Sequence, residues 1–240
     1  MTDCLIGVLG GMGPLATADL VQKIIVSTPA DRDQDHVPLV VWNVPQIPDR
    51  QKALAGTGPS PLPVLLKAIR ALNQLPLSHI VIPCNTAHHW FDALAAASRA
   101  PLLHIADATL AVMREHVTVP PEVTGLIATQ GTLRAGWYQQ RLAATGNEVL
   151  EPTPQEMEEL FVPGCYAVKR GELVEGGVLL EQLAERLADR GATRLILACT
   201  EVAPALAAVN SRWQTRSIDT TQALAQACVE LWQQSRASSR

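Results

Sequence analysis

Residues 79–90, HIVIPCNTAHHW, and residues 194–205, RLILACTEVAPA, decide the fold. In each, a hydrophobic run ends in cysteine, polar residues follow, and a helical pattern begins. Continuous rather than alternating apolar runs suit strands buried on both faces of a sheet. Similar runs recur at CLIGVLG (4–10), PLVVWNV (38–44), PLLHIA (101–106), VTGLIAT (123–129) and NEVLEP (147–152). Helical stretches read between them at 61–72, 87–97, 133–145 before Gly146, 177–190 before Gly191, and 220–234 with Asp219 or Thr220 as N-cap. This alternation predicts an α/β fold with parallel sheets.

The two halves echo each other. Gly7 matches Gly125 at an offset of 118, Pro45-Gln46 matches Pro154-Gln155 at 109, and Cys84 matches Cys199 at 115. Three features in one order at nearly constant spacing suggest a tandem duplication. The expectation is two similar α/β lobes, residues 1–103 plus 211–240 and residues 104–210, related by a pseudo-twofold axis with the active site in the cleft between them. Each half would then present a thiol.

Bulk properties narrow the function. With 240 residues, 48% hydrophobic and 18% charged, the chain is long enough and apolar enough for two packed lobes. A net charge of −4 and 19 scattered Lys and Arg residues argue against nucleic acid. No apolar run approaches the roughly 18 residues of a membrane span, and the MTDC start carries an acid where a signal peptide would be basic, so a cytoplasmic location is expected. Five widely spaced cysteines without a C-x-x-C pair point to free thiols rather than a metal site or disulfides.

Cys84 and Cys199 each close a strand just before a helix. A helix N-terminus favours a thiolate, and ligand sites of α/β sheets lie at that edge. A cysteine in a core strand is also ordinary packing, but Asn85-Thr86 and Thr200-Glu201 supply polar collars that packing does not need. Cys4, Cys165 and Cys228 lack such collars and read as packing. Two matched thiols suit inversion at a carbon acid, one removing a proton and the other returning it to the opposite face. Acyl transfer would want a histidine beside one cysteine; His88 and His89 read instead as helix surface.

GGMGPLAT (10–17), IPDR (47–50), PCNTAHHW (83–90), ATQGT (128–132) and ACTE (198–201) together resemble the aspartate/glutamate racemase family, specifically its aspartate racemase branch. The resemblance implies two α/β lobes, an amino-acid substrate, no pyridoxal phosphate or other cofactor, no metal, and a homodimer. It implies Cys84 and Cys199 as the catalytic pair, Met12, Asn85, Thr86 and Thr200 around the amino acid, and Arg50 and Lys169 as cationic anchors. Asn85, Thr86 and Thr200 have the donors for a carboxylate, and Arg50 can grip a second one bidentately. Lys169 also reads as a solvated helix residue like Arg170, Glu201 as a residue tuning Cys199 or its own helix, and Thr129 and Thr132 as cleft-lining. Leu9-Gly10-Gly11 and Glu201 depart from the acid and histidine usual in the glutamate branch.

Two rivals stay open. A racemase or isomerase of another carbon acid, such as a hydantoin or a dicarboxylate, would use the same thiols. A nucleotide-binding module would use Gly11-Met12-Gly13-Pro14-Leu15-Ala16, which fits G-x-G-x-x-A, although the acid expected after the second strand is missing.

Overall fold

The computed structural model describes residues 4–115 and 123–238. Met1, Thr2 and Asp3, on which the reading of a missing leader rests, lie outside the described residues. The chain divides into two units, Met1–Ala108 with Thr221–Arg240, and Thr109–Thr220.

In the first unit, β1 (Ile6–Gly10) is buried along its whole length and leads into α1 (Pro14–Ser27). Proline at the start of α1 costs no hydrogen bond, and Ala16, Thr17, Leu20 and Ile24 form its buried stripe. Next come β2 (Leu39–Asn43), α2 (Arg50–Leu54), α3 (Leu62–Leu72) and β3 (His79–Val81). The strands pair in parallel in the order β2-β1-β3, with Val8 opposite Val41 and Val81. After β3 a 3₁₀ turn over Thr86–Trp90 feeds α4 (Phe91–Ala97), and α5 (Ile105–Glu115) follows.

The second unit repeats the plan. It contains β4 (Val123–Ala128), α6 (Gln130–Ala135), α7 (Trp137–Ala143), β5 (Glu148–Leu150), α8 (Pro154–Glu156), α9 (Val162–Lys169), α10 (Leu173–Asp189), β6 (Arg194–Ala198), α11 (Val202–Ala208) and β7 (Ser217–Asp219). Its parallel sheet has the order β5-β4-β6-β7. Thus β1, β2 and β3 correspond to β4, β5 and β6, and an isolated parallel bridge between Ile80 and Leu102 stands where β6 pairs with β7. Finally α12 (Thr220–Ser238) places Leu224, Ala225, Cys228, Val229 and Trp232 in the core of the first unit with β1 and α1.

Three local expectations change. PLLHIA is no strand beyond that one bridge, because the His104 carbonyl accepts the Asp107 and Ala108 N–H groups and starts α5. PLVVWNV is an edge strand with Val41 and Trp42 exposed, not a strand buried on both faces. The helix expected over 133–145 is two helices, broken at Gly136 in the left-handed region (φ 74). Between α8 and α9, Met157–Phe161 forms a π turn in which the Val162 N–H reaches the Met157 carbonyl, and Pro163, which has no N–H to donate, follows at once. Helix α10 carries Gly177 against the Ala205 carbonyl of α11, an approach that leaves no room for a Cβ.

Candidate active site

In the first unit Cys84 follows β3, 6% exposed, in one apolar cluster with Met12 and Ile47. The turn after it is held by His88, which is not helix surface as expected but 2% exposed; His89 is exposed. The His88 Nε2 accepts the Ile105 N–H at 3.2 Å, and its Nδ1 lies 2.9 Å from the Cys84 carbonyl. An amide can only donate and a carbonyl only accept, so the proton sits on Nδ1 and the ring is neutral. Burial pushes its pKa down to about 4, against the opposing pull of the Cys84, Leu103 and Asn85 carbonyls and the Asp107 charge. The ring also packs on Phe91 and His104, so the backbone of Cys84 is tied to the first turn of α5.

Arg50 opens α2, whose N-cap Asp49 accepts the Gln51 and Lys52 N–H groups. Its guanidinium donates through Nη1 to the Ile47 and Pro48 carbonyls at 3.3 and 3.1 Å, and through Nη2 to the Met12 carbonyl at 3.2 Å. No acid among the described residues pairs with it, and its Nε is buried without a partner. Nε–H and one Nη2 hydrogen therefore remain for an anion. Gln51 Nε2 donates to Thr86 Oγ1 at 3.1 Å, while Asn85 and Thr86 are both buried. Gln51 carried no sequence signal; only the fold brings the α2 loop to the Cys84 turn.

The glycine loop is occupied by its own chain. Gly11 has φ 100 and lies against the Val44 backbone where a Cβ would clash, and its N–H donates to Thr17 Oγ1 at 2.9 Å. An N–H that a nucleotide-binding loop would offer to phosphate is thereby used.

In the second unit Cys199 follows β6, and its carbonyl accepts the Val202 N–H that begins α11. Its Sγ donates to Glu201 Oε2 at 3.0 Å, Thr200 Oγ1 donates to the same oxygen at 3.3 Å, and Lys169 Nζ donates to Glu201 Oε1 at 2.8 Å. Cys165 Sγ stands 3.8 Å from Cys199 Sγ. The lowered thiol pKa expected at a helix N-terminus is not found at Cys199. Its contact with Cys165, its burial, and the potential charges of Cys165 and Glu201 raise it well above the ordinary value, and Lys169 only partly opposes them. At Glu201 burial pushes the carboxyl up, but the Lys169 charge and the bonds from Cys199 and Lys169 outweigh it and hold it below the usual carboxylate range.

Lys169, expected as a substrate anchor, thus spends its charge on Glu201, with 37% of its side chain exposed. Thr129 and Thr132 bond each other, Thr129 capping α6. Cys4 and Cys228 pack in the core of the first unit, whereas Cys165, expected to be mere packing, touches a polar sulfur site. All five cysteines are free. No helix among the described residues is long and apolar enough to cross a membrane.

A sequence profile of Asp/Glu/hydantoin racemases matches residues 9–228. The broad specificity amino-acid racemase RacX of Bacillus subtilis (strain 168) is 25% identical over 240 aligned positions, covering 95% of this chain and 98% of that protein. Among solved structures, Picrophilus torridus aspartate racemase superposes with a TM-score of 0.82 at 28% identity, covering 96% of this chain and 94% of that one. Glutamate racemase isoform RacE1 of Bacillus anthracis shares the fold, with a TM-score of 0.69 at 18% identity over 98% of this chain and 83% of that one. The paired parallel sheets, the two strand-end cysteines and these likenesses converge, and the chain belongs to the Asp/Glu/hydantoin racemase family.

Proposed function

We propose that this enzyme racemises an acidic amino acid, aspartate first, without a cofactor, by passing the Cα proton between Cys84 and Cys199. The observation that carries the reading is the matched placement of the two thiols at the ends of β3 and β6, the corresponding strands of the two units. One sulfur, as thiolate, takes the proton from one face of Cα; the other, as thiol, gives its proton to the opposite face. The roles exchange for the other enantiomer, and the enzyme ends with its proton on the sulfur that began as base.

Cys199 rests as a thiol, the form that donates. To act as base it passes its proton to Glu201, whose carboxylate already accepts it and is kept ionised by Lys169. Asn85 and Thr86 stand at the Cys84 turn, where the α-carboxylate would gather charge as the proton leaves, and Thr200 can reach it by exchanging its bond to Glu201. The spare N–H groups of Arg50 suit a side-chain carboxylate, with Met12 as the apolar wall whose carbonyl orients the guanidinium. This favours an acidic substrate over a hydantoin or neutral amino acid, and free thiols suit an enzyme of the reducing cytoplasm.

The test is incubation of purified protein with L-aspartate and with L-glutamate in deuterium oxide without added cofactor. Formation of the D-enantiomer with deuterium at Cα is expected, and Cys84→Ala and Cys199→Ala should each abolish inversion. Full racemisation by either variant would sink the two-thiol mechanism.

A further inference from the structure

Cys165, outside the proposed pair, faces the sulfur of Cys199 at contact distance. It sits on α9, 4% exposed, with its Sγ 3.8 Å from that of Cys199, itself 6% exposed. A disulfide needs a separation of about 2.05 Å, so side-chain rotation has less than 2 Å to close. A base is also in place, because Glu201 Oε2 lies 3.0 Å from Cys199 Sγ.

We infer that Cys165 and Cys199 form an oxidative modification site, in which a hydroperoxide converts the two thiols to a disulfide and a thiol reductant restores them. Glu201 takes the Cys199 proton, and the thiolate attacks the peroxide, breaking its O–O bond. Cys199 becomes a sulfenic acid and the departing alkoxide is protonated to an alcohol, or to water when the oxidant is hydrogen peroxide. Cys165 sulfur then attacks Cys199 sulfur, and its proton leaves with the hydroxyl as water. The two thiols lose two electrons and two protons, and the peroxide gains them. Cys165 thereby acts as the resolving thiol, diverting Cys199 from irreversible sulfinic acid.

The Cys165 contact, burial and the Glu201 charge keep Cys199 protonated near neutrality, so oxidation waits on proton transfer to Glu201 and is slow at pH 7. Loss of activity on oxidation rests on Cys199 being catalytic, as proposed above; formation of the bond does not.

The full-length protein is treated with hydrogen peroxide at pH 7 and pH 8.5, free thiols are then alkylated in denaturant, and peptides are mapped by mass spectrometry without reductant. The expected result is a Cys165–Cys199 linked peptide that forms at both pH values, parallels the loss of aspartate racemisation, and disappears with return of activity in dithiothreitol. Cys165→Ser and Cys165→Ala should give no link and should accumulate Cys199 sulfinic acid that dithiothreitol does not reverse. Sulfinic acid at Cys199 of the unmutated protein, without the linked peptide, overturns the inference. A linked protein that still racemises aspartate leaves the modification site standing and overturns the catalytic role of Cys199.

Discussion

The two cysteine sites share one strand-end plan but are wired differently. Two residues after Cys84 stands Thr86, which bonds Gln51; two residues after Cys199 stands Glu201, which bonds the sulfur itself. The first unit holds an arginine on backbone carbonyls with no acid among the described residues paired to it, while the second pairs Lys169 with Glu201. The proton exchange proposed for the two thiols therefore does not call for symmetric surroundings. At the second site a carboxylate accepts from the sulfur, and at the first the guanidinium keeps N–H groups proposed to hold a substrate carboxylate.

The sharpest way to break this contrast is to remove its acid. Glu201→Gln should lower kcat for racemisation by about 10²–10³, within the range of a lost proton-transfer partner, whereas Thr86→Val at the corresponding position should lose less than about tenfold, the worth of a typical single hydrogen bond. Equal losses would erase the asymmetry. Alkylation of Cys199 in Glu201→Gln should also begin at lower pH, since one charge opposing the thiolate is gone.

His88 belongs to the first site alone. Its pKa falls from 6.5 unfolded to about 4 folded, so the unfolded chain binds the extra proton between those values. Stability from this group is therefore present above pH 6.5 and declines by up to about 3 kcal/mol as pH falls toward 4. Urea unfolding across that range should show the slope in the parent protein and a flatter one in His88→Leu. At pH 7 His88→Leu should lose about 1–3 kcal/mol, because the Ile105 N–H is left buried without its acceptor. His88→Asn, which keeps a donor for the Cys84 carbonyl, should recover part of the racemase activity.

The cations should separate by substrate. Arg50→Ala should cost about 10–100-fold in kcat/KM on aspartate, as a lost charge-assisted pair does, and little on alanine. Lys169→Ala, acting through Glu201, should depress both alike. The smallest effect is expected away from either sulfur: Gly177→Ala, whose Cβ meets the Ala205 carbonyl, should destabilise by about 1–3 kcal/mol, read as a lower Tm.

Much of this plan was legible in the sequence. The offset of the two cysteine motifs foretold the corresponding sheets, since a buried parallel strand leaves an unbroken apolar run. The wiring was not legible. The Cys165 and Lys169 contacts with the Cys199 site depend on how α9 is seated, and spacing along the chain carries no record of that. Adjacent histidines look alike in sequence, while the 3₁₀ turn buries His88 and exposes His89. A helix N-terminus alone points to a lowered pKa at Cys199, and the Cys165 contact, burial and the carboxylate two residues on outweigh that dipole.

The last helix has a consequence for how the molecule is made. Because α12 supplies Leu224, Val229 and Trp232 to the core around β1, the first unit is discontinuous in the chain, whereas Thr109–Thr220 is continuous. On the ribosome the unit begun first must be finished last, after roughly 10 s of further synthesis at ordinary elongation rates. Nascent chains arrested just after Thr220 has cleared the exit tunnel should therefore show a protease-resistant second unit while residues 4–108 are still cut. Equal resistance of both segments would show that β1 and its neighbours close without the helix that completes them.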